Sequence, residues 1–294
     1  LALAACQSGE GSPSTTTSLP TTSTRVAPTT TSTSAATTTT TTTTTLPPGP
    51  NEVVIGDDQE PPTLNPYAPG GDNLIVSRIG QALFAGLTEI DGQTGAIIPD
   101  LAVTLPTVAN GGVVVEGDGT TRVTFEIRAE AVWENGTPIT GNDVAFTYEA
   151  LMAAPAGTLS LDRTPYEAIT NVAADGKAVT LTFAAPTLSF ETMFPVILPR
   201  HQVEGTDLAT DWNDQPWLSA GPFVFESWEP RHRSPHTRLT LVRNERYWKI
   251  DPATGERLPH LDRVVFRFIP DTALLLDAFA AGEIDVVVPP PMAA

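Results

Sequence analysis

The sequence predicts a mixed α/β to α+β domain behind a long unstructured lead, on three observations. From Asn51 onward, short apolar or alternating runs bounded by Gly, Pro and Asn recur and read as strands. Between them lie stretches with apolar residues at helical spacing. Ahead of them, residues 7–50 are mostly Thr, Ser and Pro, including an unbroken threonine run over 37–45. Such a segment cannot bury enough apolar area to offset its ordering entropy, so it reads as a linker, of the kind that carries O-glycans. Treated as a coil, it spans roughly 35–40 Å.

The elements follow in order. Val53-Val54-Ile55 reads as a buried strand closed by Pro61-Pro62. Ile75, Ile79 and Leu83, with Ala82 and Leu87, predict a helix over 74–87. Residues 88–99 read as a hairpin turning at Asp91-Gly92-Gln93-Thr94-Gly95, and 113–116 with 122–128 as a second around Gly117-Asp118-Gly119. Thr140 followed by Asp143 marks a helix start of the capping-box kind, with Val144, Tyr148, Leu151 and Met152 as its apolar stripe. Further strands are expected at 179–183, 223–228, 239–243 and 264–269. A helix over 272–281 is expected to end at Gly282, with a last strand at 283–288. Phe125, Phe183, Phe223, Phe225, Phe266 and Phe268 sit at strand alternation and read as core.

Of the 294 residues, 34 are acidic and 16 basic, a formal charge of −18. A field of that sign repels nucleic acid and anionic lipid headgroups. Cys6, the one cysteine, excludes an internal disulfide and a cysteine-based zinc cluster. It follows Leu3-Ala4-Ala5, which resembles the lipobox of bacterial lipoproteins, directly before the linker. The expectation is lipidation at Cys6 and anchoring by acyl chains on the extracytoplasmic face of the membrane, with residues 1–6 as the end of a signal peptide truncated at its start. No later stretch is long and apolar enough to span a bilayer.

Catalysis finds no support. Four histidines occur and no HExxH; His232 and His236 are separated by Pro235 in a loop-like stretch, so no metal and no cofactor is expected. GxSxG, P-loop and dinucleotide fingerprints do not occur. Asp57, Asp58 and Glu60 read as a solvated strand end. Trp212, Trp217 and Trp228 fall in or near polar loops, where packing under a loop and a platform for a ligand are both open.

An ordered string of motifs remains. It runs Thr63-Leu64-Asn65-Pro66, Ala82-Leu83-Phe84-Ala85-Gly86-Leu87-Thr88, Pro99-Asp100-Leu101-Ala102, and Trp133-Glu134-Asn135-Gly136-Thr137-Pro138. Later come Ala220-Gly221-Pro222-Phe223, Asn244-Glu245-Arg246-Tyr247-Trp248 and Ala281-Gly282-Glu283-Ile284-Asp285. Together they resemble the family 5 extracellular solute-binding proteins, over essentially all of 51–288. Asn65 and Asn135 stand where the family often has Asp, and Gly141 where Ala is common.

The resemblance implies a periplasmic-binding-protein-like class II fold of two lobes closing over a ligand. Residues 51–288 would form the first lobe, with an inserted subdomain at about 85–189. Residues 289–294 would begin the crossing to a second lobe not contained in this chain. It further implies a monomer that captures an oligopeptide or other small solute and delivers it to an ABC permease. The loop Tyr67-Ala68-Pro69-Gly70-Gly71-Asp72 aligns with a cleft-lining segment. There Gly70 and Gly71 would allow close backbone approach and Asp72 would meet a ligand amine, with Tyr166 and Trp217 as further cleft candidates. A receptor feeding a sensor and a surface scaffold or adhesion module stay open as rival functions.

Overall fold

The computed structural model describes residues 51–230 and 237–287. Cys6, the 7–50 linker, His232, His236 and the 289–294 stretch lie outside the described residues.

Strand β1 (Glu52–Asp57) opens the fold, and helix α1 (Leu74–Leu83) follows a long loop. Asn73 caps α1, its side chain accepting from Ile75 N, and Ile75, Val76, Ile79 and Leu83 form the buried face. The helix stops four residues short of its expected end, for a reason visible at residues 84–87. Ile197 N donates to Ala85 O and Leu87 N to Phe194 O, so this stretch pairs with 194–197 in extended form. Gly86 makes the approach possible, since a Cβ there would lie 2.6 Å from the carbonyl oxygens of Phe194 and Pro195.

Next come β2 (Thr88–Ile90), β3 (Ile97–Pro99), β4 (Val113–Val115) and β5 (Thr121–Glu126). The β2–β3 turn closes on Asp91, whose carboxylate accepts from Thr94 N at 2.7 Å. Gly95 there adopts φ 70°. The same Asp-x-x-Thr-Gly chemistry recurs at Asp251–Gly255, where Gly255 N again donates to the carbonyl of the leading aspartate. Helix α2 (Gly141–Ala153) starts as expected: the Asp143 carboxylate accepts from Thr140 N at 2.8 Å and from Arg200 N at 3.2 Å.

Then follow α3 (Thr164–Glu167), β6 (Ile169–Asp175), β7 (Ala178–Phe183), a 3-10 turn (Ser189–Thr192) and α4 (Arg200–Val203). The chain ends its described part with β8 (Phe223–Glu229), β9 (Arg238–Arg243), β10 (Arg263–Phe268), α5 (Thr272–Ala280) and β11 (Val286–Val287). Of the strand expected over 283–288, Val286 and Val287 alone are strand among the described residues.

The five-stranded sheet has the order β11-β1-β10-β9-β8. Within it β1 is parallel to both β10 and β11, while β9 runs antiparallel to β8 and to β10. One face, with Val264, Phe266, Phe268, Leu239 and Leu241, joins the main core together with α1. The other face is narrower: Leu275 of α5 and Ile284 pack where Gly56 leaves no side chain. A four-stranded antiparallel sheet, β4-β5-β7-β6, is built wholly from residues 113–183. Its inward Val123, Phe125, Val179, Leu181 and Phe183 are fully buried, and outward Thr124 and Thr180 bond each other at 3.0 Å. Of the phenylalanines expected in the core, Phe225 alone is half-buried.

Gly86→Ala is expected to destabilise the fold by about 1–3 kcal/mol, because the Cβ meets backbone oxygens that cannot rotate away. Gly92→Ala, which meets nothing within 4 Å, is expected to stay within about 0.5 kcal/mol of the parent sequence. Urea midpoints of the two variants check the contrast.

Candidate functional site

Ligands in sheets with parallel strands sit beyond the carboxyl ends of those strands. Here β1, β10 and β11 end together at Asp57, Phe268 and Val287, and the loop 58–73 rises from that edge. Asp57 departs from the solvated strand end expected of it. It is 1% exposed and pairs with Arg78 of α1 at 2.6 Å, while its second oxygen accepts from Gln59 N at 3.0 Å. Burial raises its carboxyl above the usual value, and the Gln59 amide and Arg78 pull it back only in part. Because loops are polar by default, nothing in Asp-Asp-Gln-Glu signals that the first carboxylate turns inward.

The loop itself is anchored by Asn65, which is fully buried. Its Nδ2 donates to Leu208 O at 2.8 Å and Asp211 O at 2.9 Å. Its Oδ1 accepts from Tyr67 N at 2.9 Å and Ala68 N at 3.3 Å. Thr63 Oγ1 adds a bond to Asn213 Oδ1 at 2.7 Å. The Thr-Leu-Asn-Pro motif therefore joins two loops that are some 145 residues apart in sequence.

Three of the residues singled out in sequence are buried in aromatic contacts of the main core. Tyr67 stacks on Trp217 at 6.1 Å, and Phe84 lies against the same indole at 4.9 Å. The Tyr67 hydroxyl donates to Val196 O at 2.6 Å. Tyr166 meets Phe194 edge-on at 5.1 Å, and its hydroxyl oxygen accepts from Phe194 N at 3.0 Å. Burial pushes both phenols up, that of Tyr166 to about 12. None of Tyr67, Tyr166 and Trp217 is more than 3% exposed, so their rings pack beneath the loop in this chain.

The remaining loop residues differ. Gly71 is buried and makes its close approach to its own chain, since a Cβ would fall 2.4 Å from Pro66 O. Gly70 sits at φ 86° and Asp72 is exposed. Gly70 and Asp72 are thus more exposed than the rings of Tyr67, Tyr166 and Trp217. Sequence reading passed over Ser160, whose N and Oγ reach Tyr67 O at 2.9 Å and Ala68 O at 2.6 Å. A lone serine after Gly157-Thr158-Leu159 carries no signal of such a contact.

Elsewhere, Lys249 lies 2.7 Å from both Glu89 and Asp100, linking the Pro-Asp-Leu-Ala motif to the chain after Tyr247-Trp248. His260 pairs with Asp251 at 2.9 Å. A shallow depression of about 380 Å³ at the start of α2, lined by Thr140, Arg200, His201 and Glu204 among others, includes none of Tyr67, Gly70, Gly71, Asp72, Tyr166 and Trp217. Among the described residues no group of three or more His, Cys, Asp or Glu could hold a metal ion, and no helix is long and apolar enough to cross a membrane.

A pH test follows from Asp57. A carboxyl raised above its unfolded value contributes stability that is present below that value, 3.8, and lost as pH rises through the folded one. Asp57→Asn removes the titration. The stability of the unmodified chain relative to this variant is therefore expected to fall as pH rises from 3.8 upward, read from denaturation midpoints across acidic pH.

Residues 96–294 match the pattern of the bacterial extracellular solute-binding proteins, family 5 Middle. The oligopeptide-binding protein OppA of Mycobacterium tuberculosis is 27% identical over 258 residues, covering 77% of this chain and 40% of OppA. LpqW of the same organism, a probable monoacyl phosphatidylinositol tetramannoside-binding protein, is 24% identical over 81% of this chain and 36% of its own length. The oligopeptide-binding protein of Thermus thermophilus, solved with a pentapeptide, superposes with a TM-score of 0.64 at 25% identity, over 80% of this chain and 44% of that one. The chain thus spans about two-fifths of the length of these relatives. Its mixed α/β architecture is that of part of a periplasmic-binding-protein-like fold. With two-thirds of its length under the family pattern, this chain belongs to the family 5 bacterial extracellular solute-binding proteins.

Proposed function

We propose that the full-length parent of this chain captures a peptide-like solute outside the membrane and hands it to an ABC permease. The loop Tyr67–Asp72 would form one wall of its site. The observation that carries the reading is a loop without secondary structure, rising from the carboxyl ends of parallel strands and yet fixed by Asn65. An extended peptide has unpaired backbone groups, and a rigid wall of backbone and a few polar groups can satisfy them while leaving room for varied side chains. Gly70 and Asp72 face the solute, and Tyr67, Tyr166 and Trp217 support the wall from below. Binding is reversible and involves no covalent chemistry. Closure of the parent over its solute is worth the difference in affinity between its open and closed forms.

Residues 51–288 act as one lobe, with about 85–189 inserted into it. Two features support a further part of the parent packing against this lobe. Leu274, Leu276 and Phe279 of α5 are 59%, 51% and 47% exposed, and β11 pairs with β1 alone among the described residues. Lipidation at Cys6 would tether the receptor, with residues 7–50 giving it reach. A Cys6→Ala parent is expected to move from the detergent phase to the aqueous phase on Triton X-114 partition, and unchanged partition would remove the anchor.

The name OppA and the pentapeptide in the Thermus structure support a peptide, and the name of LpqW marks how far relatives diverge. Asp72→Arg in the parent is expected to weaken affinity for its co-purifying solute roughly tenfold or more by calorimetry. Gly71→Trp is a poorer probe, because its side chain would collide with Pro66 and disturb the loop directly. Unchanged affinity in Asp72→Arg would take the loop out of the site.

A further inference from the structure

Between α2 and α3 the chain makes an excursion over residues 155–162 that reaches the loop after β1. Its base is clamped by Arg163, whose Nη1 donates to Ala154 O at 2.6 Å and Leu151 O at 3.3 Å. Gly157, at φ 77°, turns it, and Thr158 N bonds back to Pro155 O. Leu159 and Leu161 pack against the core on either side of Ser160. Ser160 therefore arrives in a fixed orientation, with its N–H on Tyr67 O at 2.9 Å and its hydroxyl on Ala68 O at 2.6 Å. Ninety-two residues separate Ser160 from Ala68.

We infer that Ser160 is a positioning residue for solute binding: it holds the Tyr67 and Ala68 carbonyls inward, so that Gly70 and Asp72 are presented in one conformation. The inference rests on the proposed role of this loop as a wall of the site. Asn65 fixes the amide groups of Tyr67 and Ala68, and Ser160 fixes their carbonyls. Together Asn65 and Ser160, the latter through its backbone N–H and its hydroxyl, leave this part of the loop one arrangement before any solute arrives, which lowers the ordering cost of binding.

The geometry also separates positioning from stability. Ala68 O accepts a second bond, from Gly71 N at 2.8 Å, so removing the Ser160 hydroxyl leaves no buried acceptor unpaired. The Ser160 N–H bond to Tyr67 O survives in any non-proline variant. Ser160→Ala thus loosens the loop without unfolding it. Threonine keeps the hydroxyl and restores the bond.

The test compares the full-length parent with its Ser160→Ala and Ser160→Thr variants, using pentaalanine as the binding probe. In Ser160→Ala the amides of Gly71 and Asn73 should exchange faster, with the melting midpoint within roughly 2 °C of the parent. Affinity for pentaalanine should fall about 3–10-fold. Ser160→Thr should restore both readings. Unchanged exchange in Ser160→Ala overturns the inference, and so does faster exchange with unchanged affinity. If the unmodified parent binds no pentaalanine, the peptide reading fails by that result alone, and the exchange comparison still decides whether Ser160 orders the loop.

Discussion

A loop with no helix or strand of its own stays in one place only if its backbone groups find partners, and here one amide side chain supplies them. Asn65 makes two donor and two acceptor bonds inside the protein, to Leu208 O, Asp211 O, Tyr67 N and Ala68 N. That matches the full capacity of an amide with two N–H groups and a carbonyl. The loop that follows β1 and the loop before Trp217 are joined by this residue. A carboxylate in its place would lose both donor bonds and bring lone pairs against the carbonyl oxygens of Leu208 and Asp211.

The parallel placement of β1 sets the other constraint. β1 comes first in the described chain yet pairs with β10 and β11, so more than 200 residues separate paired positions such as Glu52 and Arg263. All intervening structure, including the four-stranded sheet, hangs from a sheet closed by its two ends. Non-local pairing of this kind is slow to form in general, while the Asp91 turn, the Thr140–Asp143 cap and the Asn73 cap are local contacts within the intervening elements. Several motifs by which the family is recognised instead tie distant segments together. Asp100 meets Lys249, Asn244 Nδ2 donates to Gly221 O, and Glu134 accepts from Ser219 N. These three contacts tie the fold together.

Much of the fold was legible because periodicity and turn chemistry are local. Val123, Phe125 and Ile127 alternate, and all three are buried. Gly282, at φ 73°, ends α5 where a glycine cap was expected. Strand β6 escaped notice because its exposed edge position leaves it few large apolar residues, although Asp175-Gly176 before β7 is a hairpin signal that could have found it. The early stop of α1 was not legible, since it depends on a partner segment over 100 residues away. For the site, the loop could be named from the resemblance. That Tyr67, Tyr166 and Trp217 would lie under it depended on tertiary packing, which no spacing rule encodes. Ser160 and the inward turn of Asp57 belong to the same class of facts.

The proposed transport role turns on whether the loop fixed by Asn65 and Ser160 is a wall that meets solute. A crystal structure of the full-length parent with whatever solute co-purifies with it tests this directly. Polar atoms of that solute are expected within hydrogen-bonding distance of Gly70 or Asp72, with Asn65 bonded as it is here. A solute held elsewhere, with this loop left in bulk water, would contradict it.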